Sequence, residues 1–160
     1  MNGPRRQDPL PVGAPAPDFT LRDQHGQDVT LSALRDHAVL LVFYPWAFSR
    51  VCTGELCEVR DSLPQWESED VQLLAVSCDM MFSLRAFAEH DGLTFPLLSD
   101  FWPHGAVAAE YGVFNDETGA ANRSTYIIDK SGTVRWTVHN EMPQARDLAE
   151  QVQVLAGLDG

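Results

Sequence analysis

The residue best placed to do chemistry in this chain is Cys52. It follows an apolar run, Ala38 to Tyr44, a proline at Pro45 and a short loop, Trp46 to Val51. It also opens a stretch with helical patterning. A cysteine in a first helical turn faces unpaired N–H groups and the positive end of the macrodipole, and both favour thiolate over thiol. Position alone leaves two readings open, a reactive thiolate or an inert small residue of the core. The neighbours favour the first. Pro45, Ser49 and Cys52 form Pro-x-x-x-Ser-x-x-Cys. The proline can shield a thiolate and fix the loop, and the Ser49 hydroxyl can donate to the sulfur or to an incoming oxygen. Glu55 lies three residues past Cys52, on nearly the same helix face. An anion beside a thiolate is counterproductive unless it also holds a cation. Arg123 is the candidate, because a planar guanidinium can bond a carboxylate and a second partner together.

A thiolate that attacks an oxidant needs a second thiol to recover. Cys57 is five residues on, which in an intact helix is a rotation of about 140° and a rise of about 7.5 Å. A disulfide needs Cα atoms within about 7 Å, so this pair closes only if the first turns unwind. Gly54 lowers that cost, since glycine weakens a helix interior by about 1 kcal/mol. The alternative is that Cys57 simply faces the core. Cys78 ends an apolar segment and reads as an ordinary small residue, although strand ends of α/β sheets line the functional edge. The five histidines (25, 37, 90, 104 and 139) show no metal-ligand spacing. His104, between Pro103 and Gly105, reads as part of a helix entry or as a pocket-mouth residue. Trp46, Phe48 and Trp102 could form an apolar collar or ordinary packing. Glu67 to Asp70 reads as a solvated acidic turn.

These groups need a scaffold, and the hydrophobic pattern supplies one. Ala38–Tyr44 is apolar on both faces, as a strand covered by helices should be. A helix from about Cys52 to Glu67 follows, kinked or ended by Pro64. Val71–Ser77 and Leu97–Ser99 read as strands, with helices at Met81–His90 and Gly105–Tyr111. Phe19–Leu21 and Asp28–Leu31 flank a turn and predict a short hairpin, after which Ser32 caps a helical turn through Arg35. Ser124–Asp129 and Thr133–Val138 predict an antiparallel hairpin, and Gln144–Leu155 a closing amphipathic helix. The order predicts an α/β fold, a mixed central β-sheet flanked by helices on both faces. Residues 1–11 read as a flexible arm and residues 12–160 as a single domain, with Val12–Pro17 an extended lead-in.

Composition narrows the function classes. The chain has 160 residues and a formal charge of −12, which opposes binding to phosphate backbones or anionic lipid. No apolar run reaches the length of a membrane span, and the N-terminus carries no secretory pattern. Three cysteines are too few for a disulfide scaffold, which points to a reducing, cytoplasmic setting. No Cys-x-x-Cys occurs, which disfavours disulfide exchange of the thioredoxin type.

Four ordered segments together resemble the peroxiredoxins. Pro45-Trp46-Ala47-Phe48-Ser49-Arg50-Val51-Cys52 is similar to their active-site motif, Pro-x-x-x-(Thr/Ser)-x-x-Cys. Pro15-Ala16-Pro17-Asp18-Phe19 resembles their lead-in. Phe95 to Asp100 with Tyr111-Gly112-Val113 resembles a mid-chain signature, and Arg123 to Asp129 with Gly132 the segment of their essential arginine. Phe101 to Val107 and Gly112 to Asn115 are most similar to the AhpE subgroup. The Cys52–Cys57 spacing instead resembles the PrxQ (bacterioferritin-comigratory) branch, where the second cysteine resolves the first. The resemblance implies a thioredoxin-like fold and a thiol-dependent peroxidase acting on hydrogen peroxide and organic hydroperoxides. Cys52 is then the peroxidatic residue, completed by Pro45, Ser49 and Arg123, with Glu55 steering the arginine and Cys57 a resolving candidate. Sulfur performs the chemistry, so no cofactor or metal is required. A thioredoxin or glutaredoxin-like protein would be the reductant, and the chain would form a homodimer. A peroxide sensor or holdase using the same cysteine without efficient turnover is the alternative.

Overall fold

The computed structural model describes residues 8–139 and 145–159, with the side chains of residues 51–53, 55, 145–146 and 156–159 outside the description. The strands are β1 (Thr20–Arg22), β2 (Asp28–Thr30), β3 (Ala38–Phe43), β4 (Val71–Ser77), β5 (Leu97–Ser99), β6 (Phe114–Asn115), β7 (Ala120–Ala121), β8 (Ser124–Ile128) and β9 (Val134–His139). The helices are α1 (Arg50–Asp61), α2 (Leu63–Ser68), α3 (Met81–Asp91), α4 (Ala106–Glu110) and α5 (Ala145–Asp159). Seven strands form one mixed sheet in the order β2-β1-β5-β4-β3-β8-β9. Within it β3, β4 and β5 run parallel, and β8 pairs antiparallel with β3.

Alternation along the central strands decides which layer each side chain joins. Ala38, Leu40, Val42 and Tyr44 enter one core, and Val39, Leu41 and Phe43 the other. The first core is closed by Leu56 and Val59 of α1, Trp66 of α2, Leu84 and Phe87 of α3 and Leu148 and Val152 of α5. The second is closed by Val107 and Ala108 of α4, Leu31, and Leu10 and Ala16 of the lead-in. Helices therefore cover both faces, as the sequence predicts.

The structure adjusts several boundaries. Leu10 is buried and its N–H donates to the Tyr111 carbonyl, so packing begins ahead of Val12, and only residues 1–7 of the expected arm lie outside the described residues. The lead-in is extended, with Gly13 and Ala16 donating to the Val134 and Gly132 carbonyls. Ser32 caps nothing. The turn Leu31–Leu34 is a 3-10 helix, and Asp18 Oδ1 accepts the Ser32 N–H at 2.8 Å instead. A carboxylate reaching from the strand side is a stronger acceptor than a serine already inside the turn. Of the two expected effects of Pro64, an end and not a kink is found. The chain breaks at Ser62, and Pro64 stands at the start of α2, where its missing N–H costs nothing. The Gln144 start expected for the closing helix lies outside the described residues.

Candidate active site

Parallel strands bring their C-terminal ends to one edge of a sheet, and here that edge collects four segments. The register pairs Phe43 with Val76 and with Ser124, and Ser77 with Ser99. The loop Pro45–Ser49 after β3, Cys78–Met80 after β4, Asp100–Gly105 after β5 and Asn122–Arg123 before β8 thus share one rim.

The loop is held from below by a carboxylate. Asp79 Oδ2 accepts the Ala47 N–H at 2.8 Å and the Ser77 hydroxyl at 2.8 Å, while the Asp79 carbonyl accepts the Ser99 hydroxyl at 2.7 Å. Asp79 so fastens three strand ends to each other. Phe48 takes a left-handed conformation (φ 67°) and its ring packs 5.1 Å from Phe87 of α3. The reversal lets Ser49 become the N-cap of α1 with an extended backbone, and its hydroxyl makes no capping bond to the helix. Cys52 is the third residue of α1, inside the first turn, as the sequence predicts. The side chains of Cys52 and Glu55 lie outside the described residues.

Pro45 and Arg123 line one depression of about 400 Å³. Trp46 lines it too, and Asn115, Thr118, Ala121 and Asn122 complete it from the β6–β7 hairpin. Its chemistry is that of a polar cleft with one guanidinium and one exposed indole. Beside Arg123, the Ser124 hydroxyl lies 2.8 Å from His139 Nδ1, and burial lowers the His139 pKa, favouring the neutral ring.

The aromatic collar does not form as a unit. Trp46 faces the depression, whereas Phe48 turns to α3 and Trp102, 82% exposed, lines a separate groove with Met80 and Phe82. The acidic turn is not purely solvated either, since Asp70 pairs with His37 at 2.7 Å and Lys130 at 3.8 Å.

The other two cysteines differ sharply. Cys57 is half-buried on an unbroken α1. Cys78 is buried, and burial with the charges of Asp100 and Asp79 pushes its thiol up to about 12. Such a sulfur stays protonated and inert. No helix among the described residues is long and apolar enough to cross a membrane, and no group of three or more His, Cys, Asp or Glu among them could hold a metal ion.

Sequence reasoning missed Asp79 and the hairpin residues Asn115, Thr118 and Asn122. Asp79 stands two residues past a strand end, which is a signal in an α/β edge. The two-residue strands of the hairpin leave no periodicity to read.

A cleft at a strand edge with an arginine in it, and a cysteine in the first turn of the helix that follows the Pro45 loop, suit thiol chemistry on a small electrophile. The model of the AhpC/TSA family matches residues 12–137. The chain belongs to the AhpC/TSA family. It is 49% identical over 150 residues to alkyl hydroperoxide reductase E of Mycobacterium tuberculosis, an alignment covering 93% of this chain and 98% of that protein. It is 34% identical over 147 residues to the chloroplastic peroxiredoxin Q of Triticum aestivum, covering 91% of this chain and 67% of that one. The crystal structure of peroxidoxin BcpB from Mycobacterium tuberculosis superposes with a TM-score of 0.82 at 30% identity, covering 93% of this chain and 98% of that one. The chain is therefore a peroxiredoxin with a thioredoxin-like fold, and its activity is thiol-dependent reduction of peroxides. Both subgroups that its motifs resemble are among its relatives.

Proposed function

We propose that Cys52 is the peroxidatic residue and that the depression lined by Pro45 and Arg123 receives hydrogen peroxide or an organic hydroperoxide. The observation that carries this reading is that Pro45 and Arg123, 78 positions apart in the sequence, line one cleft at the rim where α1 begins. The Cys52 thiolate attacks the distal oxygen of ROOH, forming an S–O bond as the O–O bond breaks. The leaving oxygen departs as alkoxide and takes one proton, giving ROH and the sulfenic acid. Arg123, the Ser49 hydroxyl and backbone N–H groups ahead of Cys52 are the donors for that developing charge. Pro45 shields the sulfur, and Glu55 orients Arg123.

Recovery needs two thiol equivalents. A first thiol attacks the sulfenic sulfur, releasing water and forming a disulfide, and a second reduces that disulfide. In the folded state α1 is continuous from Arg50 to Asp61. Residues five apart on such a helix have Cα atoms beyond the reach of an unstrained disulfide, about 7 Å. Cys57 therefore resolves only if α1 opens at its start, and exposed Gly54, with nothing beyond its own helix backbone and chain neighbours within 4 Å of its Cβ position, offers the point of opening. A thioredoxin or glutaredoxin-like protein supplies the electrons in either route, and the working unit is a homodimer in the cytoplasm.

One experiment tests both steps. Intact mass is measured before and after one equivalent of hydrogen peroxide, on the wild type and on Cys52→Ser. A gain of one oxygen reports a lone sulfenic acid, and a loss of two hydrogens reports an internal disulfide. The Cys52→Ser chain is expected to show neither and to have no peroxidase turnover. Normal turnover in that variant overturns the assignment.

A further inference from the structure

The β6–β7 hairpin forms most of one wall of the cleft, yet its strands are only two residues each and cannot hold themselves. Something outside must fix it. Inside the turn, Asn115 Oδ1 accepts the N–H groups of Glu117 and Thr118 at 2.9 and 3.3 Å, and Gly119 N–H donates to the Asn115 carbonyl. Buried Ala120 and Ala121, with Phe114 packed on the second core, anchor its strands, and the turn itself is tied to the loop after β5 by His104. Its Nε2 lies 2.6 Å from the Gly119 carbonyl, and its Nδ1 lies 3.2 Å from the Phe101 carbonyl. A carbonyl only accepts, so the shorter contact places a proton on Nε2. The His104 ring also packs edge-on against Phe114 and Phe101. The backbone is shaped for this contact. Gly119 is left-handed (φ 73°), and at Gly105 (φ 70°) any Cβ would enter the Phe114 ring. His104 itself does not line the cleft, whereas Asn115 at the start of the clamped turn and Thr118 within it do.

We propose that His104 is a positioning residue for peroxide selectivity. It holds the Gly119 turn against the loop after β5 and so sets the position of the Asn115–Thr118 wall that faces Arg123. This rests on the cleft being the peroxide site. A small peroxide needs little of the wall. A bulky one fills more of a cleft lined by both Trp46 and Thr118, so release of the wall acts on its binding.

The test compares hydrogen peroxide with cumene hydroperoxide in steady-state kinetics of wild type, His104→Ala, His104→Asn, His104→Gln and Arg123→Ala. In His104→Ala and His104→Asn, KM for cumene hydroperoxide is expected to rise about fivefold, the scale of one lost hydrogen bond. Values for hydrogen peroxide and kcat for both substrates should hold. His104→Gln, whose amide can reach the Gly119 carbonyl, is expected to restore KM, while His104→Asn is too short. Equal effects on both peroxides, no effect on either, or failure of glutamine to restore KM overturns the proposal. Arg123→Ala separates the two levels. Full activity there sinks the site reading and this proposal with it, while a crippled Arg123→Ala beside an unchanged substrate ratio in His104→Ala sinks the proposal alone.

Discussion

Two buried aspartates at opposite ends of the sheet meet opposite treatment. Asp129 follows β8 at the end remote from the cleft. Burial alone would raise its pKa, but the Ser131 hydroxyl and N–H, the Thr133 N–H and Arg135 Nε all donate to it, and the balance holds it below the ordinary carboxylate value. Asp100 follows β5 at the rim. It receives the N–H groups of Val107 and Ala108 at 3.1 and 2.9 Å. Burial outweighs these bonds and the nearby His104, and its pKa rises to about 6. The same edge holds the Cys78 thiol up at about 12. One end of the sheet is saturated with donors and stabilised by its charge. The other holds polar groups in a dry setting, at some cost to stability, at the rim proposed as the peroxide site. On that reading the fold separates the end that makes it stable from the end that makes it reactive.

The sharpest way to break that division is a pair of substitutions. Arg123→Ala is expected to lower kcat/KM for hydrogen peroxide by about 10²–10³, the scale of one lost donor to a developing oxyanion. A free thiol with a pKa of about 8.5 is still roughly 3% thiolate at pH 7, so loss of thiolate stabilisation alone accounts for at most roughly 30-fold. Alkylation rates of Cys52 against pH give the second quantity, and a rate loss no larger than the pKa change explains would reduce Arg123 to thiolate stabilisation alone. At the remote end, Asp129→Ala removes the acceptor shared by four donors and is expected to cost about 2–4 kcal/mol in urea unfolding. Its peroxidase activity per folded molecule should match wild type. A large loss of rate there would abolish the distinction between the two ends.

The two ends were also unequally legible in the sequence. The remote end could be read, because Ser124–Ile128, Lys130-Ser131-Gly132 and Val134–His139 spell strand, turn and strand in strong local terms. β3 and β4 were equally plain from their apolar runs. At the rim, motif residues identified Pro45 and Arg123 across 78 positions, and the cleft joins them. What stayed hidden is held by side-chain-to-backbone bonds with no periodicity. Asp79 fastening Ala47 and His104 fastening Gly119 are contacts between residues 32 and 15 apart. The misjudged Ser32 cap has the same origin, since Asp18, 14 residues earlier, reached the turn first.

A smaller effect tests the electrostatics of the comparison directly. The folded-state pKa of Asp100 lies above its ordinary 3.8, at about 6. The folded protein therefore binds more protons than the unfolded chain between those values. This contribution is fully present below about pH 4 and is lost as pH rises through 6, a total of about 3 kcal/mol. Asp129 has the opposite sign, since a lowered pKa gives stability that is present at neutral pH and lost on acidification below about 4. Urea unfolding between pH 4 and 7 should show the Asp100 slope in wild type and lose it in Asp100→Asn. A slope that persists in the variant would assign it to another group.

The least disturbance is expected at Cys78, and it is the most discriminating for the chemistry of the rim. Its sulfur is buried, and desolvation together with the charges of Asp100 and Asp79 opposes ionisation. In the Cys52→Ser, Cys57→Ser double variant, iodoacetamide at pH 8 should leave Cys78 unmodified while the chain is folded and label it in urea. Cys78→Ala should keep peroxidase activity close to wild type, because alanine loses a thiol that never becomes a nucleophile and fills nearly the same space. Rapid labelling of the folded chain would mean that this edge opens to solvent, and that the cost of holding Asp100 and Cys78 dry is relieved by motion and not borne by the static fold.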